Sequence, residues 1–286
     1  MNREYCVFGP TGNSEMFYDA GNKRSAQMPA YLKKVGLNWY EYPCGRGVNV
    51  GDATAKEIGN NAREHGIAMS VHAPYFINFA NPELEKRINS RNYLFQALNL
   101  AKILDAKRVV FHPGTCKKMP REKAMKILKD DMKILIDEID NAGLGHITIC
   151  PETMGKKNQL GNLKETLEIC QLDERIIPTI DFGHLHARRQ GSLNTEEDFA
   201  RVLDAIENRI GKYRAKNIHI HFSQIEYTAS GERRHLTFDD NQYGPFFINL
   251  AKQLAKRKMT AVVISESKNT MIKDSLTMKR MYHDLL

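Results

Sequence analysis

Eight short apolar or β-branched runs recur along the chain, at Glu4–Phe8, Asn38–Tyr42, Ala68–Val71, Arg108–Phe111, His146–Cys150, Ile177–Ile180, Ile218–Phe222 and Ala261–Ser265. Most are continuously hydrophobic rather than alternating, as strands buried on both faces of a parallel sheet should be. Helical periodicity separates them. It is clearest over Arg121–Ala142, where Leu128, Met132, Leu135 and Ile139 form one apolar stripe, and Leu94, Leu98 and Ala101 make another before the fourth run. Strict alternation implies parallel pairing, and eight units are the number that closes a (β/α)8 TIM barrel of the α/β class. At about 150 residues per domain the length would allow two domains. No Pro/Gly/Ser-rich linker or shift of composition marks a boundary, however, so residues 1–286 read as a single domain.

Local signals place the helix ends. Asn81-Pro82-Glu83, Asn194-Thr195-Glu196-Glu197 and Asp239-Asp240-Asn241 are expected to open helices, and Gly143 and Gly211 to close others. The Gly9-Pro10-Thr11-Gly12 turn is too short for a phosphate-binding P-loop and lacks its Gly-Lys-Ser/Thr ending, so it reads as an ordinary connection after a strand.

Polar residues able to bind a cation stand where six of the runs end: His72, His112, Glu152, Asp181 with His184 close behind, His221 and Glu266. The strand-end positions are 40, 40, 29, 40 and 45 residues apart, each gap accommodating one strand and one helix. In a barrel these ends form one rim, the C-terminal face on which active sites of this fold lie. So many charges buried at one rim are costly without a cation to pair them, which makes the rim a metal site. Carboxylate and imidazole donors suit Zn²⁺, Mn²⁺ or Fe²⁺ better than Mg²⁺ or Ca²⁺, and the absence of cysteine from the set is typical of a catalytic centre. His219 and His221 project to the same face of their strand. His221, nearer the end, is the expected ligand, with His219 deeper or in support. Asp181 ends its strand and His184 is expected in the loop beyond, a pair able to serve two neighbouring ions.

The chain carries a formal charge of +8, which suits an anionic partner. Adjacent basic residues fall in successive loops of the same rim, Lys117-Lys118, Lys156-Lys157, Arg188-Arg189 and Arg233-Arg234, where they are expected to border the site and neutralise phosphates. The first residues, Met1-Asn2-Arg3-Glu4-Tyr5-Cys6, lack a signal peptide's apolar core, and no stretch approaches the roughly 18 apolar residues of a membrane span. A cytoplasmic protein is expected. Its five cysteines, scattered and without a CxxC pair, are expected to be reduced packing residues.

Several motifs together resemble the endonuclease IV family of apurinic/apyrimidinic (AP) endonucleases, within the xylose isomerase-like barrel superfamily, over the whole chain. They are Val71-His72-Ala73-Pro74-Tyr75 with Ile77-Asn78, Phe111-His112-Pro113-Gly114, Pro151-Glu152-Thr153-Met154-Gly155, Ile180-Asp181-Phe182-Gly183-His184, Ile220-His221-Phe222-Ser223, Arg234-His235-Leu236 and Ser265-Glu266. The resemblance implies two or three zinc ions, with Mn²⁺ or Fe²⁺ as alternatives. His72 and His112 would hold one ion, Glu152 would bridge it to a second completed by Asp181, His221 and Glu266, and His184 and His235 would hold a third. It also implies hydrolysis of the phosphodiester 5′ to an abasic site in double-stranded DNA, with Glu152 as the catalytic carboxylate. Tyr75 and Arg46 match residues that enter the DNA and keep the abasic nucleotide extruded. No membrane and no obligate protein partner are implied. One position departs from the pattern: the family's third site has an aspartate two residues before the histidine, where this chain has Arg233. Either Glu232 substitutes through a one-residue shift of the loop, or the third ion is weak or absent.

Two other readings compete. A sugar isomerase or epimerase on the same barrel needs one ion, and Glu152, Asp181, His221 and Glu266 would hold it; His72, His112, His184 and His235 are the extra donors that favour the nuclease. A DNA-binding protein without catalysis would hold fewer than two metal equivalents and cut nothing.

Overall fold

The computed structural model describes residues 4–240 and 242–286. Its strands are β1 (Val7–Pro10), β2 (Trp39–Pro43), β3 (Ala68–His72), β4 (Arg108–Phe111), β5 (Thr148–Pro151), β6 (Thr179–Asp181), β7 (His219–Phe222), β8 (Ile225–Thr228), β9 (Gly231–His235) and β10 (Val262–Ser265). All but β8 and β9 belong to the barrel, and all eight barrel strands run parallel. Helices α1 (Glu15–Asp19), α2 (Met28–Val35), α3 (Asp52–His65), α4 (Leu84–Leu104), α5 (Arg121–Asn141), α6 (Leu163–Cys170), α7 (Phe182–Arg188), α8 (Glu196–Ile210), α9 (Lys212–Lys216), α10 (Phe247–Lys256) and α11 (Met271–His283) alternate with them. The expected TIM barrel is therefore the fold, and no described helix is long and apolar enough to cross a membrane.

The barrel is built from two four-stranded sheets, β2-β3-β4-β5 and β6-β7-β10-β1. They join through parallel bridges between Thr11 and Glu41 at one seam and between Glu152 and Thr179 at the other. Backbone hydrogen bonds reinforce both: Gly12 N–H donates to Glu41 O at 2.9 Å, and Thr153 N–H to Thr179 O at 3.0 Å. Gly9 permits the first seam, because a Cβ there would stand 1.9 Å from the Trp39 carbonyl oxygen. The apolar runs fill the core as their patterning requires; Phe8, Val71, Val109, Phe111, Ile180, Phe222 and Val263 are buried, as are Leu128, Met132, Leu135 and Ile139 of α5.

Strand boundaries differ from expectation by up to three residues. β1 starts at Val7, whose N–H donates to Ala261 O, while Glu4 and Tyr5 stay exposed outside the sheet. α4 starts at Leu84 rather than Pro82: Asn81 Oδ1 accepts from Glu83 N–H at 3.1 Å, and this side-chain turn delays the helix. Asp239-Asp240 open no helix either. Asp240 Oδ1 accepts from Gln242 and Tyr243 N–H in a turn well before α10, and Asn241 lies outside the described residues. Thr195 does cap α8, its Oγ1 accepting from Asp198 N–H while Asp198 accepts from Thr195 N–H at 2.8 Å. Thr195→Ala is expected to cost about 1 kcal/mol of stability; an unchanged urea midpoint would remove the cap from the account.

Candidate metal centre

The strand-end residues converge as their spacing implies. His72 ends β3, His112 follows β4, Glu152 follows β5, Asp181 ends β6, His221 lies in β7 and Glu266 follows β10. His184 stands in the first turns of α7 and not in a loop. The helix starts at once because Asp181 caps it, its Oδ1 accepting from His184 N–H at 2.6 Å. The hairpin β8–β9, unanticipated as structure, brings His235 over the rim. His72, His112, Glu152, His184, His235 and Glu266 line a cavity of about 400 Å³, with Thr11, Tyr75, Lys156, Gln159 and Glu232 among its other walls, while Asp181 and His221 are buried behind it.

Glu152 sits at the centre. One oxygen lies 3.2 Å from His72 Nε2 and 3.1 Å from His112 Nε2; the other lies 3.2 Å from His184 Nδ1 and 3.5 Å from His221 Nδ1. His221 Nδ1 is also 3.4 Å from Glu266 Oε1. The His72, His112 and His221 separations match neighbouring ligands around an ion whose bonds are about 2.0–2.2 Å long. Asp181 Oδ2 and His221 Nδ1 are buried and lack hydrogen-bond partners, as atoms reserved for a cation do. Five overlapping donor groups result among the described residues, and three of them divide the cavity's donors: His72–His112–Glu152, Glu152–Asp181–His221–Glu266 and His184–Glu232–His235; the others are His72–His221–Glu266 and Glu41–His219–His221. The residues present fit divalent metal ions.

The other ring nitrogens are occupied. His72 Nδ1–H donates to the Ala73 carbonyl at 2.9 Å and His184 Nδ1–H to the Thr153 carbonyl at 2.9 Å, so each presents Nε2 as a free donor. His235 Nδ1 pairs with Ser223 Oγ at 2.8 Å. Such outer contacts fix the tautomer and orientation of a metal-binding imidazole.

Without a cation the centre resolves its charge through protons. Burial pushes Glu152 up, yet the imidazoles of His112, His184 and His221 hold its carboxyl well below the usual range. Burial pushes His72 down, but the Glu152 contact overcomes it and the imidazole ends at about 9. Asp181 and Glu266 go up, through burial and, beyond it, the Glu152 charge. These acids and imidazoles share protons that a bound cation would displace.

At the third donor set the hairpin register decides which side chain arrives. Ile225 pairs with His235, Glu226 with Arg234, and Tyr227 with Glu232, leaving Arg233 as a bulged extra residue. Ile225 and Tyr227 share a face, so their partners His235 and Glu232 share it too. In a regular strand Arg233 would stand there instead. Glu232 Oε2 lies 3.4 Å from His184 Nε2. Gly155 leaves it room: a Cβ there would stand 2.6 Å from Glu232 Cβ and 3.0 Å from His184 Cδ2.

The basic loops fare unevenly. Arg188 is turned inward to the carbonyls of Met154, Lys156, Lys157 and Gln159, strapping the loop after β5 rather than offering charge to a ligand. Arg233 and Arg234 both pair with Glu226. Lys156 does line the cavity, and Tyr75 stands at its mouth, 52% exposed. Arg46 is exposed on the neighbouring loop, which Tyr75 N–H joins by donating to Gly45 O at 3.2 Å.

One residue of the site had no place in the strand-end ladder. Glu41, in mid-β2 and fully buried, lies 2.9 Å from His221 Nε2 and 3.0 Å from His219 Nε2. The available signal was an acid inside the apolar run Trp39-Tyr40-Glu41-Tyr42.

Known proteins share this framework. The xylose isomerase-like TIM barrel family matches residues 29–280. An uncharacterized protein of Methanocaldococcus jannaschii is 33% identical over the full length of both chains. A protein of Mycoplasma pneumoniae named probable endonuclease 4 is 29% identical over 68% of this chain and 66% of its own length. Among solved structures, endonuclease IV from Thermus thermophilus superposes with a TM-score of 0.68 at 17% identity, over 91% of this chain and 93% of that one. A D-tagatose 3-epimerase-like protein does so with a TM-score of 0.69 at 20% identity, over 98% and 96%. By the extent of these matches, the chain belongs to the xylose isomerase-like TIM barrel family.

Proposed function

We propose that the protein is a zinc-dependent AP endonuclease of DNA repair, hydrolysing the phosphodiester 5′ to an abasic site in double-stranded DNA. The observation that carries the reading is the adjacency of three donor sets, two sharing Glu152 and the third reached through His184. Bound divalent ions would acidify the attacking water and offset charge on the phosphoryl oxygens during in-line displacement. The chain's own part is positional. Glu152 directs one oxygen to the His72–His112 side and the other to the His184–His221 side, holding both halves of the centre in one geometry. Tyr75 and Arg46 flank the mouth, suited to fill the gap left by an extruded abasic nucleotide; with no base to unstack, that nucleotide is the cheapest to extrude.

A single-metal sugar isomerase or epimerase is the second reading, favoured by the Glu152–Asp181–His221–Glu266 set and by the epimerase-like barrel. It leaves His72, His112, His184 and His235 without employment. Purified protein is expected to carry two or three transition-metal equivalents and to nick an abasic duplex. One metal equivalent together with turnover of a keto sugar would replace the nuclease by the isomerase; fewer than two equivalents with DNA binding and no cleavage would leave a binding protein.

Glu232 takes the place of the third set's acid in this reading. Deleting Arg233 removes the bulge but leaves Glu232 two residues before His235 and on the same face, so that variant is expected to keep every metal equivalent, whereas Glu232→Ala is expected to lose one while keeping the others. Unchanged stoichiometry of Glu232→Ala by elemental analysis would remove Glu232 as a ligand.

A further inference from the structure

Glu41 lies in the middle of β2, behind His221, and is wholly enclosed. Its Oε2 accepts from Ser70 Oγ–H at 2.8 Å and stands 3.0 Å from His219 Nε2; its Oε1 stands 2.9 Å from His221 Nε2. Ser70 is in turn held by Trp39, whose indole N–H donates to it at 2.9 Å. Glu41, His219 and His221 also form a compact group of potential ligands. His219 Nε2 is hydrogen-bonded to Glu41, and the 2.9 Å between His221 Nε2 and Glu41 Oε1 is a hydrogen-bond length between two buried atoms that have no other partner among the described residues.

We infer that Glu41 is the positioning residue of the metal centre: it accepts a hydrogen bond from His221 Nε2–H, so that the unprotonated Nδ1 faces Glu152 and Glu266. His219, two residues along the same strand and on the same face, holds the second carboxylate oxygen and keeps Glu41 from rotating away. Trp39 and Ser70 close the remaining side. A histidine whose second nitrogen is engaged by a carboxylate is fixed in tautomer and ring angle, and is a better donor. The inference rests on the metal-site reading above and is independent of which substrate the site acts on.

The test is Glu41→Gln in the full chain, loaded with Zn²⁺ and titrated by chelator competition. The variant is expected to bind its most affected zinc equivalent about 10–100-fold more weakly and to retain the wild-type circular dichroism spectrum. A folded variant with wild-type zinc affinity for every equivalent overturns the inference and leaves the metal centre standing; wild-type protein that binds no zinc overturns both. A second measurement needs no variant. Long-range ¹⁵N–¹H correlation spectra of zinc-loaded wild type, labelled at histidine, are expected to show His221 protonated at Nε2 and unprotonated at Nδ1. His221 protonated at Nδ1 overturns the inference even if Glu41→Gln fails to fold.

Discussion

Glu152→Gln is expected to lower cleavage of an abasic duplex by about 10³-fold or more, within the span seen when an acid-base or charge-stabilising group is lost, while DNA binding persists. Two features set the size. Among the described residues, Glu152 is the one side chain that lies within 3.5 Å of imidazoles from four different segments of the chain, and it belongs to two of the three donor sets at once. Glutamine keeps the shape but halves the acceptor capacity, so it cannot serve both sides as an anion. Metal stoichiometry measured with the cleavage rate separates lost ions from lost chemistry, and Tyr75 and Arg46, which belong to none of the donor sets, are the reason binding is expected to survive. Activity near wild type would take Glu152 out of the mechanism.

Chelation is expected to lower thermal stability strongly, and by more at alkaline than at acid pH. A site binding only the folded chain contributes about 4 kcal/mol when free metal is 1,000 times its dissociation constant, or roughly 8–16 °C in a chain of this size. The pH dependence follows from His72, whose folded-state value of about 9 lies above that of a free imidazole. In the metal-free protein its pairing with Glu152 stabilises fully below about pH 6.5 and is lost as pH rises through 9. Metal replaces those protons and faces less competition as pH rises. The gap between the midpoints with and without chelator should therefore widen between pH 6 and 9. A gap that is constant or narrows over that window would show that protons and metal do not compete at this centre.

Most of the barrel could be read from the chain because burial on both faces leaves a plain mark, as in Val109-Val110-Phe111 or Val262-Val263-Ile264. The donor ladder was legible for the same reason: a His or Glu directly after such a run has only the rim to occupy. Three things were hidden. The bulge at Arg233 depends on pairing across a hairpin whose strands are charged, and no periodicity announces it. Arg188 looks like its dibasic neighbours, yet nearby carbonyls of the loop after β5 draw it inward. Glu41 was concealed by its setting, since a lone acid within an aromatic strand has no assignable partner until the fold brings His219 and His221, about 180 positions away, against it.

The two seams of the barrel place these acids in a different light. Main-chain pairing is thinnest between β1 and β2 and between β5 and β6, and Glu41 and Glu152 are the residues bridged there. Both belong to the half formed by β2 to β5, and both reach imidazoles of the other half: Glu41 touches His219 and His221, Glu152 touches His184 and His221. The centre is thus a clasp between two half-barrels. A motion that parted the halves would pull the Glu152–Asp181–His221–Glu266 set asunder before it disturbed either sheet, so the rigidity of that set and the closure of the barrel are one mechanical property.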